Sequence, residues 1–387
     1  MIKEQRIYGL DALRAVAMLL GVLLHSAIAY KVKPHRNWLH DPVFSYWIFD
    51  ALYFLIHSFR MALFFLIAGY FFRLLYYKIG EKQFIIHRWK RVGVPFIFAM
   101  IFILPLSVVP YNAYLFIYRN GLPIGLALKK SFMQVFAYNG LAHLWFLYDL
   151  MIFYVCGILL LRCRKYKSIN NMLNRFSQWW MNIHFKSVVW LMVAVIPIWV
   201  CLIPENGLFV LTDTSIIPKR INNLFFYGFM VFLGWLFNKR TEVFSHLSNR
   251  YYLFLWPGLI LTCILFYIDW INNGVYSSIV ALIMKFGAAL QILLLVFGLI
   301  GLFLAVFKTE SKTWKYISDA SYWVYLIHLS IVISLQVLFL RSGIPGVLRF
   351  PLVLSIAVLL SFITYHLLVR FTFIGTMLHG SRKRVSD

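Results

Sequence analysis

An arginine and a histidine eleven positions apart in an otherwise apolar stretch, Arg14 and His25, are the residues of this sequence best placed for chemistry. On an α-helix, positions eleven apart fall about 20° from each other around the axis and roughly 16 Å apart along it. Asp11 and Gly21 share that stripe. A charged side chain at the centre of a membrane helix costs roughly 2.5–3.5 kcal/mol on insertion scales, so such a polar seam is rarely kept without a function. Neutral imidazole can take a proton from an alcohol near pH 7, which makes His25 a candidate general base; the alternative is an interfacial histidine at a helix end. Guanidinium grips phosphate or carboxylate through a rigid fork, which makes Arg14 a candidate anion clamp; the alternative is a pair with Asp11, one turn earlier.

The same chemistry recurs further along. His57 and Arg60 share a helix face, at a depth compatible with His25, so two histidines and an arginine can converge on one polar cavity. A structural hydrogen-bond network between helices is the competing reading. His143 and Trp145 open a later apolar stretch, and Asp149 follows one to two turns inward as one of the few carboxylates in any such stretch. Ser321, Tyr325 and His328 lie at spacings of four and three residues on another, as a helix–helix seam or as substrate contacts. The basic stretch with Arg88, Lys90 and Arg91 offers cations for an anionic ligand.

These residues must be positioned by membrane helices. The chain has 387 residues, of which 62% are hydrophobic and only 13% charged, and its mean hydropathy is +0.79. Soluble domains carry roughly 45–50% apolar and 25% charged residues, so this is a polytopic membrane protein. The formal net charge of +24 does not indicate nucleic acid, because the basic residues punctuate the gaps between apolar runs instead of forming one tract. Ten apolar stretches are predicted to span, near 9–29, 47–77, 93–113, 143–161, 187–203, 222–237, 251–269, 278–307, 321–340 and 350–369. The fold expected is therefore all-α, a bundle of about ten transmembrane helices. The second and eighth stretches are overlong and the fifth and sixth short. Lysine and arginine concentrate in the N-terminal segment, the even loops and the tail, which predicts that both termini are cytoplasmic. Residues 1–371 then form one transmembrane domain and 372–387 a basic tail with Arg382, Lys383 and Arg384. A cleaved signal peptide is the rival reading of the first stretch, opposed by Asp11 and Arg14 and by the even number of spans. The four cysteines have neither metal nor disulfide spacing.

Together these pieces resemble membrane acyltransferase family 3 over nearly the whole chain. The resemblance rests on Arg14 and His25 after Leu10, Asp11, Ala12, Leu13; on His57, Ser58, Phe59, Arg60 leading to Phe64, Phe65 and Gly69, Tyr70, Phe71; on Arg91, Val92, Gly93, Val94, Pro95; on His143, Leu144, Trp145, Phe146, Leu147; and on Ser321, Tyr322 with Tyr325, Leu326, Ile327, His328. The run of His57 to Met61 is closest to the glucan-succinylating branch, while Ala68 departs from the serine of many relatives. The resemblance implies a multi-pass bacterial inner-membrane O-acyltransferase using acyl-CoA, with acetyl-CoA or succinyl-CoA as donor and no metal. A glycan such as a periplasmic glucan is the implied acceptor, with membrane lipids around it and an oligomer compatible. His25 would be the base, Arg60 or His57 the oxyanion donor, and Arg14, Arg88, Lys90 and Arg91 the partners of the coenzyme phosphates. Asp11, His143, Trp145, Asp149, Ser321, Tyr325 and His328 would bind substrate or hold the site. A transporter or flippase for a lipid-linked saccharide is the alternative, since it too uses buried arginine and histidine; the absence of a repeat and of deep carboxylates counts against it. A sensor or scaffold is a weaker third.

Overall fold

A computed structural model describes residues 7–35, 38–135, 138–182, 188–340 and 342–379. In lipid no water satisfies backbone amides, so each apolar run must close its own hydrogen bonds as a helix. The elements in chain order are α1 (Tyr8–Ile28), α2 (Trp47–Ile79), α3 (Glu81–Tyr118), α4 (Ile124–Met133), α5 (Ala142–Cys163), α6 (Lys167–Asn182) and α7 (Val188–Leu202). They continue with α8 (Ile221–Lys239), α9 (Glu242–Arg250), α10 (Tyr252–Ile271), α11 (Ser278–Val306), α12 (Lys312–Leu340), α13 (Gly346–Val369) and α14 (Phe373–His379). Among the described residues nine helices are long and apolar enough to cross a membrane, and α7 is a shorter apolar one. The protein is thus an all-α polytopic membrane protein. At about 1.5 Å per residue α7 reaches only about 22 Å, short of a hydrocarbon core near 30 Å, whereas α2 reaches about 50 Å and overshoots it. The tail with Arg382, Lys383 and Arg384, and the segment before residue 7 with Lys3 and Arg6, lie outside the described residues.

α1 is central, packed against α2, α11, α12 and α13. Its buried Ala12, Ala15, Ala17 and Gly21 let neighbours approach closely, which is how helices associate where no hydrophobic force separates side chain from lipid. α2 and α8 form the tightest pair: a side chain at Gly69 would collide with the Val231 backbone, and one at Gly234 with that of Leu66. α3 is one continuous rod interrupted by π turns at Trp89–Gly93 and Ala99–Ile103. Pro95 has no N–H to return to the Arg91 carbonyl four residues back; the Tyr322 hydroxyl of α12 donates to that carbonyl at 3.1 Å. Two of the sequence segments singled out above thereby meet.

Loops at the far end of the bundle, where α1 ends and α2 begins, are held by carboxylates. Asp41 pairs with Arg349 at 2.6 Å, and Asp50 accepts from the Val32 amide at 2.7 Å. Glu205 is buried and binds Arg220 at 3.1 Å, the Leu211 amide and Asn222. Lys285 donates to the Ile203 and Glu205 carbonyls at 2.8 and 2.7 Å. Leu141 donates its amide to Thr214 at 2.7 Å, which ties the segment before α5 to the loop before α8.

Candidate active site

Three imidazoles from three elements meet inside the bundle. His25 comes from the last turn of α1, His143 from the first turn of α5 and His328 from the middle of α12. The ring centroids of His25 and His328 are 5.3 Å apart, and those of His143 and His328 5.6 Å. Ala142, in the left-handed region at φ 44°, turns the chain just before His143. For a non-glycine residue that conformation costs about 1–3 kcal/mol and persists only where the surroundings enforce it. The His143 ring is anchored by Nε2, 3.0 Å from the Leu326 carbonyl, while its own carbonyl accepts the Tyr325 hydroxyl at 2.7 Å. His328 Nδ1 sits 2.9 and 2.8 Å from the carbonyls of Val324 and Tyr325.

Trp38, from the loop between α1 and α2, lies flat on the His25 ring, with centroids 5.3 Å apart and planes 19° from parallel. Gln336 fixes it there: its Oε1 accepts the indole N–H at 3.1 Å, and its Nε2 donates to the carbonyls of His25 and Ser26, each at 3.1 Å. Neither residue was expected from the sequence. Trp38 sits in a loop without periodicity, but Gln336 had a signal, since it lies two turns after His328 on the same stripe of α12.

Arg60 and Gly21 explain each other. The guanidinium lies in the space that a side chain at position 21 would fill, about one turn along α1 from His25. Its Nε has no hydrogen-bond partner although it is buried. His57 is near enough for its charge to act on His25, as are those of Arg60, His143 and His328. Its ring, however, is stacked on Tyr53 at 5.0 Å and meets Phe209 edge-on at 5.5 Å. Trp145 is buried against Phe65 and Tyr227. Asp149 is buried further along α5, where it and Tyr227 interact electrostatically.

Below the imidazoles a cavity of about 540 Å³ opens, within the roughly 300–1,000 Å³ typical of small-molecule sites. Its walls include Asp11, Arg14, His87, Arg88, Arg91 and Ser321, and it reaches up to Tyr325. Arg14 pairs with Asp11 at 3.8 Å and so is oriented by it. Ser321 donates to the Ser318 carbonyl of its own helix at 2.7 Å. His87 Nδ1, Arg88 Nε and Arg91 Nη1 are buried and without partners. A buried polar group without a partner costs about 1–3 kcal/mol, so these three atoms along one wall offer hydrogen bonds to water or to a polar ligand in the cavity. His87 was not foreseen, although it precedes Arg91 by one helical turn. Lys90, which was, is exposed and does not line the cavity. Tyr325 joins the two regions, because its ring both walls the cavity and lies 5.5 Å from that of His143. Among the described residues no group of three or more His, Cys, Asp or Glu is arranged to hold a metal ion.

Comparison with known proteins bears on this arrangement. The family described as Acyltransferase domain matches residues 7–366. Glucans biosynthesis protein C of Escherichia coli strain SMS-3-5 / SECEC is 33% identical over 153 residues, 39% of this chain and 38% of that protein. The protein of the same name from strain K12 is 33% identical over 155 residues, again 39% of this chain and 38% of the relative. That from strain O1:K1 / APEC is 32% identical over 153 residues, with the same coverage. The similarity therefore spans about 38% of the length of these curated relatives. No solved structure matches. The family match covers the helices that carry the three imidazoles and the arginines of the cavity beneath them, and the chain belongs to the acyltransferase family.

Proposed function

We propose that this protein is an integral-membrane O-acyltransferase of the bacterial inner membrane, moving an acetyl or succinyl group from cytoplasmic acyl-CoA to a hydroxyl of an extracytoplasmic glycan. One observation carries the reading: a single cavity has Arg14, His87, Arg88 and Arg91 in its walls and reaches Tyr325, which touches the imidazole cluster. The guanidinium groups of Arg14, Arg88 and Arg91 along this wall suit the phosphates of a coenzyme. The roughly 16 Å of helix between Arg14 and His25 is on the scale of an extended pantetheine arm. The name of the relatives, Glucans biosynthesis protein C, favours a glucan as acceptor.

The chemistry follows from the parts. The thioester is already activated, whereas a sugar hydroxyl must lose its proton as it attacks. His25 takes that proton while the hydroxyl oxygen bonds to the thioester carbon; such a base contributes about 10²–10⁴ in rate. Negative charge then grows on the carbonyl oxygen, and Arg60, with an unpartnered buried Nε, donates to it, His57 being the alternative donor. The intermediate collapses, the carbon–sulfur bond breaks, and the thiolate leaves with the proton from His25. The product is an ester on the glycan and free coenzyme A.

The test is transfer from radiolabelled acetyl-CoA and succinyl-CoA to glucan in proteoliposomes holding the full chain. Wild type is expected to label the glucan with one of the two donors, and His25→Ala to fall to background at unchanged melting temperature. Movement of glucan across the vesicle wall without label incorporation would overturn the reading in favour of a flippase.

A further inference from the structure

We infer that His328 is a positioning residue whose bare Nε2 accepts a hydrogen bond from Nδ1–H of His25, so that the lone pair of His25 sits on Nε2. The inference rests on the reading of His25 as the base. It comes from accounting for every proton in the cluster. Carbonyl oxygens only accept, so His328 Nδ1, bracketed by the Val324 and Tyr325 carbonyls at 2.9 and 2.8 Å, carries the proton of a neutral ring. Its Nε2 is therefore an acceptor, and it is buried without a partner. The same logic applied to His143, whose Nε2 faces the Leu326 carbonyl at 3.0 Å, leaves its Nδ1 as a second bare acceptor, also buried and unpartnered. Two acceptors cannot satisfy each other.

The donors around His328 are few. The Tyr325 hydroxyl proton goes to the His143 carbonyl. The Trp38 indole N–H goes to Gln336. Arg60 lies against Gly21, and the proposed function assigns it to the substrate carbonyl; its other N–H groups are the competing donors, which the tautomer of His25 distinguishes. His25 is the donor in ring contact, 5.3 Å from His328 between centroids; its Nδ1 is buried without a partner, so the two nitrogens are not bonded to each other in this structure and the inferred bond requires the His25 ring to turn. Trp38 confines the plane of the His25 ring, but a 180° flip about Cβ–Cγ preserves that stack. Stacking alone therefore leaves two ring orientations of equal cost. An acceptor on one side separates them, as a carboxylate does for the histidine of a serine-protease triad. The charged and titratable groups facing His25 are Arg60 and His57 from α2, His143 from α5 and His328 from α12. Within that set His328 alone offers a bare nitrogen at ring-contact distance from His25.

The experiment compares His328→Met, which removes the acceptor at similar volume, with His328→Gln, whose side-chain carbonyl restores one. Both are assayed as full chains in proteoliposomes beside His25→Ala. His328→Met is expected to lower kcat about 10²–10⁴-fold, with KM for the acyl donor within about twofold of wild type. His328→Gln is expected to recover at least about tenfold of that loss. If His328→Met keeps kcat within about threefold of wild type, or if the glutamine variant is no better than the methionine one, the inference falls. If instead His25→Ala is active, it is the base assignment that fails. Nitrogen-15 histidine spectra of wild type in nanodiscs give a second reading that needs no variant. They should show His25 protonated on Nδ1 and bare on Nε2, and the opposite tautomer would overturn the proposal.

Discussion

At the scale of single residues, the exchange between Gly21 and Arg60 is the most exposed to test. The atoms that would meet a methyl group at position 21 are the far end of a flexible side chain, not backbone. Gly21→Ala should therefore fold, because the guanidinium can swing aside, yet it should leave the donor misplaced. Losing one oxyanion donor typically lowers kcat about 10²–10³-fold. We expect a loss of that order with an unchanged melting temperature in detergent. A variant with wild-type kcat would show that Arg60 does not act from this position. Arg14, His25, Arg60 and His328 were legible in the sequence because an ionisable group in an apolar run is conspicuous and helical spacing fixes its face. Trp38 was not, since its position on His25 depends on a loop that returns over the helix it left, held by Gln336 from a helix some three hundred residues away in sequence. Spacing carries no trace of such a return.

At the scale of elements, all ten apolar stretches became helices, and the boundaries drifted where polarity and helicity part company. α3 begins at Glu81, about two turns of helix before Arg88 and well before its apolar stretch. Hydropathy locates the lipid contact, not the rod that carries it. For the same reason α4, α6, α9 and α14, which are short or amphipathic, were not predicted. The loop between α7 and α8 gives a prediction in pH. Burial raises the Asp213 carboxyl, but hydrogen bonds from Ser215 and from the Lys219 and Arg220 amides outweigh it and hold the group below its ordinary value. A carboxyl lowered on folding stabilises at pH above its unfolded value, and that contribution is lost as pH falls through the folded one. Amide-exchange protection at Ser215, Lys219 and Arg220 should thus be high at pH 6 and drop below the carboxylate range. Asp213→Ala should show the low protection already at pH 6. Equal protection in both proteins at pH 6 would dismiss the carboxylate as the organiser of this loop.

At the scale of the whole molecule, the expected topology places both termini and the cavity's cationic wall in the cytoplasm. In a background free of the four native cysteines, Lys129→Cys on α4 should react with an impermeant maleimide in intact spheroplasts, and Lys315→Cys at the start of α12 only after lysis. The reverse pattern would put the coenzyme on the wrong side and remove the proposed donor. A last consequence follows from the indole laid across His25 and bolted to Gln336. Any enzyme that passes a group through an energised bilayer risks becoming a wire for protons, and imidazoles in file are good conductors. With Trp38 seated, the row of rings ends at an indole that relays no proton, so the transfer proposed above need not discharge the battery that spans the membrane.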